Sequence, residues 1–288
     1  MSGGAAKDLL RVPLHELLAL DLPRVRKLLA SWTRSETLRT GLGRLVVGLS
    51  GGVDSALAAA IAAEAIGPEN VLAVRLPYRT SSRESLDDAA EVARRLGIRT
   101  EDHDISPAVD AFLRSLGGDL PSVRSGNVQA RARMIVLYDL SARDRALVLG
   151  TSNKTEILLG YSTLWGDSAC ALDPIGDLFK TQVWMLAEEM GLPERVVRKA
   201  PSAELWAGQT DEGEMGFSYA DADRVLHLLV DLRHRREDLV ALGFDAALVE
   251  RIWGMVVRSQ FKRRPPLLPK ISPRTPGFDF RYPRDWGT

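Results

Sequence analysis

Cysteine is almost missing from this 288-residue chain, and Cys170 stands alone. A lone cysteine excludes an intrachain disulfide, a CxxC zinc site and a dithiol redox pair. No His or Lys stands close in sequence to lower its pKa, so a small half-buried thiol is expected there rather than a nucleophile. Long hydrophobic runs are missing too. The longest, residues 56–63, falls far short of the ~20 residues that span a bilayer, and residues 1–12 carry no apolar signal-peptide core. These features lead to the expectation of a cytoplasmic protein without membrane contact. An excess of either charge is also lacking: 38 basic and 38 acidic residues cancel, leaving no global field to draw the chain onto nucleic acid or anionic lipid. A tRNA-modifying role suffers from that balance and from the absence of the second cysteine that thiolation needs.

The composition itself, 45% hydrophobic and 26% charged, is that of an ordinary globular protein. Neither repeats nor low-complexity linkers break it up. One domain over residues 1–288 is expected, with N-terminal helices in 13–40 and a proline-rich tail in 263–288 that cannot be helical.

The most informative stretch is Leu45-Val46-Val47-Gly48-Leu49-Ser50-Gly51-Gly52-Val53-Asp54-Ser55, a buried strand running through a glycine turn into a helix. Such a junction gathers unpaired backbone N–H groups and the positive end of a helix dipole at one point, which suits a phosphate. A Walker A loop would carry Lys before its Ser/Thr, whereas Asp54 stands there. A carboxylate among phosphate oxygens calls for a hard cation between them, so Asp54 argues for Mg²⁺. Residues 50–55 resemble the SGGxDS loop of the ATP pyrophosphatases, which cleave ATP between its α- and β-phosphates and pass AMP to an acceptor.

Elements alternate along the chain. Strands are expected at 45–49, 71–76, 98–105 and 146–150, and helices at 53–65, 85–96, 126–142, 180–191 and across 219–258. A polar connection containing Gly117, Gly118 and Pro121 separates the third strand from the next helix. The alternation predicts an α/β fold, a doubly wound parallel sheet with flanking helices of Rossmann-like type. Ligands then bind beyond the carboxyl ends of the strands, where 48–55, 77–80 and 150–153 emerge.

A second strand-to-helix junction, Leu149-Gly150-Thr151-Ser152-Asn153-Lys154-Thr155-Glu156, places another acid, Glu156, where it could be a second ligand of the cation at Asp54. With Gly166-Asp167, Lys180-Thr181 and Ala200-Pro201-Ser202-Ala203-Glu204-Leu205, the ensemble resembles the NAD synthetase family from the N-terminal helices to about residue 262. That resemblance implies an adenine nucleotide alpha-hydrolase-like fold and ATP-dependent conversion of deamido-NAD to NAD with ammonia as nitrogen donor. In that chemistry the substrate carboxylate attacks the α-phosphate to give an acyl adenylate and pyrophosphate, and ammonia then displaces AMP.

Carried over by position, residues 48–55, Thr151, Lys180 and Ser202 contact ATP, with Arg79 at its adenine end. Asp54 and Glu156 hold Mg²⁺, and Asp54 and Lys180 are the catalytic pair. Arg131 matches a deamido-NAD contact on a helix that packs across a homodimer interface in the family. The segment 204–216, rich in glycine and acid, resembles one that orders over the site and excludes water.

The dinucleotide side departs from the bacterial ammonia-dependent pattern. Leu164 stands where that pattern has Lys, Ala171 aligns with an Asp, and Phe261, ahead of Lys262, aligns with a His. Leu164 resembles instead the synthetase domains of glutamine-dependent enzymes, yet the chain is too short for a glutaminase and Cys170 has no catalytic surroundings. Free ammonia is the simpler donor, and a separate glutaminase subunit is the alternative. Competing expectations are another ATP pyrophosphatase with a different acceptor, or a non-catalytic nucleotide-binding protein, although a mere binder has no need of Asp54, Glu156 and Lys180 together.

Overall fold

The computed structural model describes residues 12–118, 120–206, 208–276 and 279. The leader expectation falls on residues 1–11 outside the described ones, as do residues 277, 278 and 280–288 of the tail, while 264–276 hold no helix, as the prolines predict. Two helices, α1 (Leu14–Leu17) and α2 (Leu22–Arg39), precede β1 (Leu45–Gly48), as the leucine spacing in 13–40 predicts. Then come α3 (Val53–Ile66), β2 (Val71–Arg75), α4 (Arg83–Leu96), β3 (Arg99–Asp102), α5 (Ser106–Ser115), α6 (Ser122–Asp144) and β4 (Leu147–Leu149). The remaining helices are α7 (Lys154–Leu159), α8 (Lys180–Glu189), α9 (Glu194–Val197), α10 (Asp211–Met215), α11 (Tyr219–Leu226), α12 (Arg236–Ala241) and α13 (Ala246–Arg258).

The sheet is parallel throughout, in the order β3-β2-β1-β4. Chain order reverses beside β1, so the cleft between β1 and β4 is the switch point at which doubly wound sheets bind ligands. Central strands buried on both faces read as continuous apolar runs, which is why 45–48 and 71–74 lack polar alternation. Leu45, Val47, Val71 and Ala73 pack toward α3, α4 and α8, while Val46, Leu72, Val74 and Val148 pack toward α5 and α6. A separate cluster joins α11 and α13 to α7 and α8 around Phe179, Tyr219 and Leu226.

Some boundaries differ from expectation. Helix α4 begins at Arg83, because the Ser82 side chain accepts the Ser85 N–H as its cap, and it stops at left-handed Gly97. The third strand is only Arg99–Asp102, an exposed edge, rather than 98–105. The polar connection after it contains α5, whose first turn holds Pro107 where its missing N–H costs nothing. The expected helix 219–258 is broken: a π turn at His227–Asp231 is followed by Arg233 at φ 57, and Gly243 at φ 103 separates α12 from α13. Among the described residues no helix is long and apolar enough to cross a membrane.

Candidate active site

The junction between β1 and α3 forms as the sequence implies. Gly52 caps α3 in extended conformation and contributes no side chain, leaving the first N–H groups of the helix open to a ligand. Gly51 has φ 84, and a Cβ there would lie 2.2 Å from the Ser85 carbonyl oxygen, so only glycine fits. Ser55 stiffens the turn: its Oγ accepts the Ser50 N–H at 3.2 Å and donates to the Gly52 carbonyl at 3.0 Å.

Helix α7 starts with a reciprocal cap. The Glu156 N–H donates to Asn153 Oδ1 at 3.0 Å, and the Asn153 N–H donates to Glu156 Oε2 at 3.3 Å. The Asn153 amide also donates to Asp54 Oδ1 at 2.9 Å, locking the two strand-to-helix junctions together. Lys180 opens α8, where the helix dipole disfavours a cation. It is held there by acids: Nζ donates to Asp54 Oδ2 at 2.5 Å and lies 3.6 Å from Glu156 Oε1. Behind it, buried Asp223 of α11 accepts from Thr155 Oγ1 at 2.5 Å and from the Thr181 N–H at 2.7 Å, fixing the starts of α7 and α8 against each other.

The electrostatics are unbalanced. Asp211, from α10, accepts from Tyr161 and Tyr219 hydroxyls at 3.2 and 3.0 Å and joins Asp54 and Glu156 around the single ammonium of Lys180. Burial and the Asp54 charge push Glu156 up to about 8. Burial opposes the charge on Lys180, but Asp54 and Glu156 outweigh it and raise its pKa. Burial, then Glu156 and Asp211, raise that of the Tyr219 hydroxyl, which stays protonated as a donor. Surplus negative charge on hard oxygens fits a divalent cation, and Asp54 with Glu156 could share Mg²⁺ at this mouth. Among the described residues no group of three or more His, Cys, Asp or Glu forms a complete metal cage, so the phosphates would have to supply the remaining ligands.

These groups line one cleft of about 560 Å³ at the switch point. Thr151, Ser202 and Lys262 reach it along with the β1–α3 turn, Glu156 and Lys180. The Lys262 ammonium donates to the carbonyls of Gly160 and Ser162 at 2.7 and 2.5 Å. The far wall of the cleft is residues 199–206 with Gln209 and Asp211, docked by Gln129, whose amide donates to the Leu205 carbonyl at 3.1 Å. Glu204 sits at φ 49, an uncommon conformation for a side-chain-bearing residue, and is held by the Ser82 and Ser85 hydroxyls, which donate to its Oε1 at 3.0 and 2.5 Å.

Other expected site residues lie elsewhere. Arg79 pairs with Asp110 at 3.1 Å over the Tyr78 ring, and the cleft is lined instead by Leu76, Pro77 and Ser81 from its loop. Arg131 is exposed and donates to the Leu164 carbonyl at 3.1 Å, so these two meet each other away from the cleft lining. Ala171 is exposed with its N–H on the Val148 carbonyl, and Phe261 is 62% exposed. Cys170 is half-buried, and burial pushes its thiol up to about 12, far from a nucleophile.

Asn153, Arg133 and Asp211 join the site without being among the expected site residues. Asn153 had a local signal, the Asn-x-x-Glu cap. Arg133 had a periodic one, because Asn127, Ala130, Met134 and Leu137 line the cleft at helical spacing and Arg133 shares that face, whereas Arg131 points off it. Asp211 lies in the segment 204–216 expected to cover the site, and its place beside Lys180 comes from tertiary packing.

Fold and loop together resemble those of the ATP pyrophosphatases. The model of the NAD synthase family matches residues 25–266, and the chain belongs to that family. It is 52% identical over 269 residues to the NH(3)-dependent NAD(+) synthetase of Chlorobium phaeovibrioides, covering 93% of this chain and 97% of that one. Among solved structures it is similar to the NMN synthetase from Francisella tularensis, with a TM-score of 0.78 and 34% identity over 88% of this chain and 100% of that one. It is also similar to the NH3-dependent NAD synthetase from Campylobacter jejuni in complex with the nitrate ion, with a TM-score of 0.75 and 31% identity over the same shares. These neighbours share the adenine nucleotide alpha-hydrolase-like fold.

Proposed function

We propose that the cleft performs the ATP-dependent amidation of deamido-NAD to NAD, with ammonia as nitrogen donor and AMP and pyrophosphate as products. The observation that carries this is the placement of Asp54, Glu156 and Lys180 beside an open helix N-terminus. Attack of a carboxylate on a triphosphate brings anions together, and this site has the means to offset that repulsion: N–H groups from α3, a buried ammonium, and two carboxylates able to hold Mg²⁺. When bound, Mg²⁺ offsets phosphate charge and draws electron density from the α-phosphorus. Lys180 provides a fixed cation for the departing pyrophosphate, and the hydroxyls of Thr151 and Ser202 offer donors to the nucleotide. The far wall, residues 199–206 with Gln209 and Asp211, excludes water that would hydrolyse the acyl adenylate.

Deamido-NAD would take the side bounded by α6, Thr163 and Lys262. Arg131 fits a shared site in a homodimer: it lies on one stripe of α6 with exposed Ile135 and Tyr138, and α5, which packs on α6, exposes Phe112 and is followed by exposed Leu116. Such an apolar stripe suits a second copy of the chain. A requirement for ATP suits a cytoplasmic enzyme.

The test is NAD formation by the purified protein from deamido-NAD, ATP and Mg²⁺, with ammonium or glutamine as donor. Product with ammonium alone is expected. Product only with glutamine and a second protein present would establish delivery by a separate glutaminase. The name of the Francisella tularensis neighbour, NMN synthetase, makes formation of NMN the competing reaction, and a preference for it would reassign the altered positions Leu164, Ala171 and Phe261.

A further inference from the structure

The cationic side chains that line the cleft are Lys180, Lys199, Lys262 and Arg133. Lys180 answers Asp54, Lys199 pairs with Asp88 at 3.0 Å, and Lys262 is capped by two carbonyls. Arg133 differs. Its Nε donates to the Leu76 carbonyl at 3.1 Å, while its two terminal nitrogens make no hydrogen bond or ion pair among the described residues. Arg133 is half-buried in the cleft wall, and burial draws its pKa down.

Acids lie near but are already committed. Glu204 accepts from Ser82 and Ser85, and Asp167 accepts the Thr163 N–H at 2.7 Å. A desolvated guanidinium without a carboxylate partner is costly, and a ligand anion removes the cost. Its position narrows which anion. Leu76 follows β2 on the ATP side, Asp167 belongs to the loop on the dinucleotide side, and Glu204 belongs to the covering segment. Arg133 therefore stands where the two substrates meet.

We propose that Arg133 is a further catalytic residue, whose terminal nitrogens bind the α-phosphoryl oxygens of ATP as the substrate carboxylate attacks. The proposal rests on the assignment of the cleft to ATP and deamido-NAD. In that step a carboxylate oxygen forms a bond to the α-phosphorus, the bond from that phosphorus to the bridging oxygen breaks, and its electron pair leaves with pyrophosphate. Charge builds on the non-bridging α-oxygens, and a planar fork of donors matches two of them, which a point-charge ammonium does not.

R133Q keeps the side-chain length and removes the charge. Pyrophosphate release by R133Q, measured with ATP and deamido-NAD at saturation, should fall about 10²–10³-fold in kcat with KM values changed little. A kcat near that of the unaltered protein, or a loss confined to KM, overturns the proposal. R133K serves if R133Q does not melt cooperatively: it keeps the charge and can still reach the Leu76 carbonyl, so a large kcat loss at unchanged Tm supports the fork and full activity overturns it. Failure of the unaltered protein to form NAD would instead sink the assignment of the cleft.

Discussion

The Asn153 side chain donates to Asp54 Oδ1 at 2.9 Å, so the β4–α7 junction holds the carboxylate that faces the phosphate loop. Because Asn153 also caps α7, its loss has two separable effects. Asn153→Ala should destabilise the fold by about 1–2 kcal/mol through the lost cap and buried hydrogen bond. It should also lower kcat by roughly tenfold by freeing Asp54, measured with a denaturant titration beside a turnover assay. Full turnover at reduced stability would mean that Asn153 serves α7 alone.

Glu156 gives the ligand-free protein a pH dependence. Its folded-state pKa, pushed up to about 8, lies above the ordinary carboxylate range. The folded state therefore binds a proton that the unfolded chain has released, and stability falls as pH rises from that range through about 8. Glu156→Gln should flatten this fall in Tm. A residual slope should remain from Asp173, which burial, with the Asp54 charge adding, raises to about 7. Addition of Mg²⁺ and ATP should restore stability at high pH in the unaltered protein and do less for Glu156→Gln. Superimposable Tm profiles of the two ligand-free proteins would refute the account of this carboxyl.

Gly51→Ala places a methyl against the Ser85 carbonyl oxygen in a backbone conformation with φ 84. The turn must open, at a cost of about 1–3 kcal/mol, and its N–H groups lose their aim. ATP affinity by calorimetry should drop at least tenfold. Unchanged affinity would show that the turn does not cradle phosphate.

Asp54→Asn removes the acid that both pairs Lys180 and faces the loop. Pyrophosphate formation should fall beyond detection while the circular dichroism spectrum stays native. Lys180→Met leaves the half-buried Asp54 and Glu156 without their cation and should destabilise the protein by about 3 kcal/mol as well as silence it. A stable Lys180→Met variant would show that the acids are already satisfied elsewhere.

Ile135, 63% exposed on α6, tests the shared site. Ile135→Glu should shift the sedimentation of a dimer to that of a monomer and weaken dependence on deamido-NAD concentration more than on ATP. A monomeric unaltered protein with full activity would remove the interface from the account.

The legible parts of this chain were local. Residues 45–55 declare strand, turn and helix through an apolar run, glycines and an open helix start, and structure follows sequence there almost residue by residue. Lys180 and Glu156 were legible as members of spaced motifs. What sequence could not carry was orientation and distance. Arg79 stands on the expected loop but turns to Asp110, a partner supplied by α5, which hides in a polar connection. Arg131 and Arg133 are two residues apart, and only the rotation of α6 decides which faces the cleft. Asp211 stands near Lys180 because the hydroxyls of Tyr161 and Tyr219, from two other parts of the chain, hold it there.

The central claim is that the cleft joins a substrate carboxylate to the α-phosphate of ATP. Deamido-NAD labelled with ¹⁸O in its carboxylate tests it directly, with mass analysis of every product after turnover with ammonium. Transfer of one labelled oxygen to AMP is predicted, because ammonia breaks the bond between acyl carbon and bridging oxygen. Label in pyrophosphate or inorganic phosphate, or none in AMP, would contradict it.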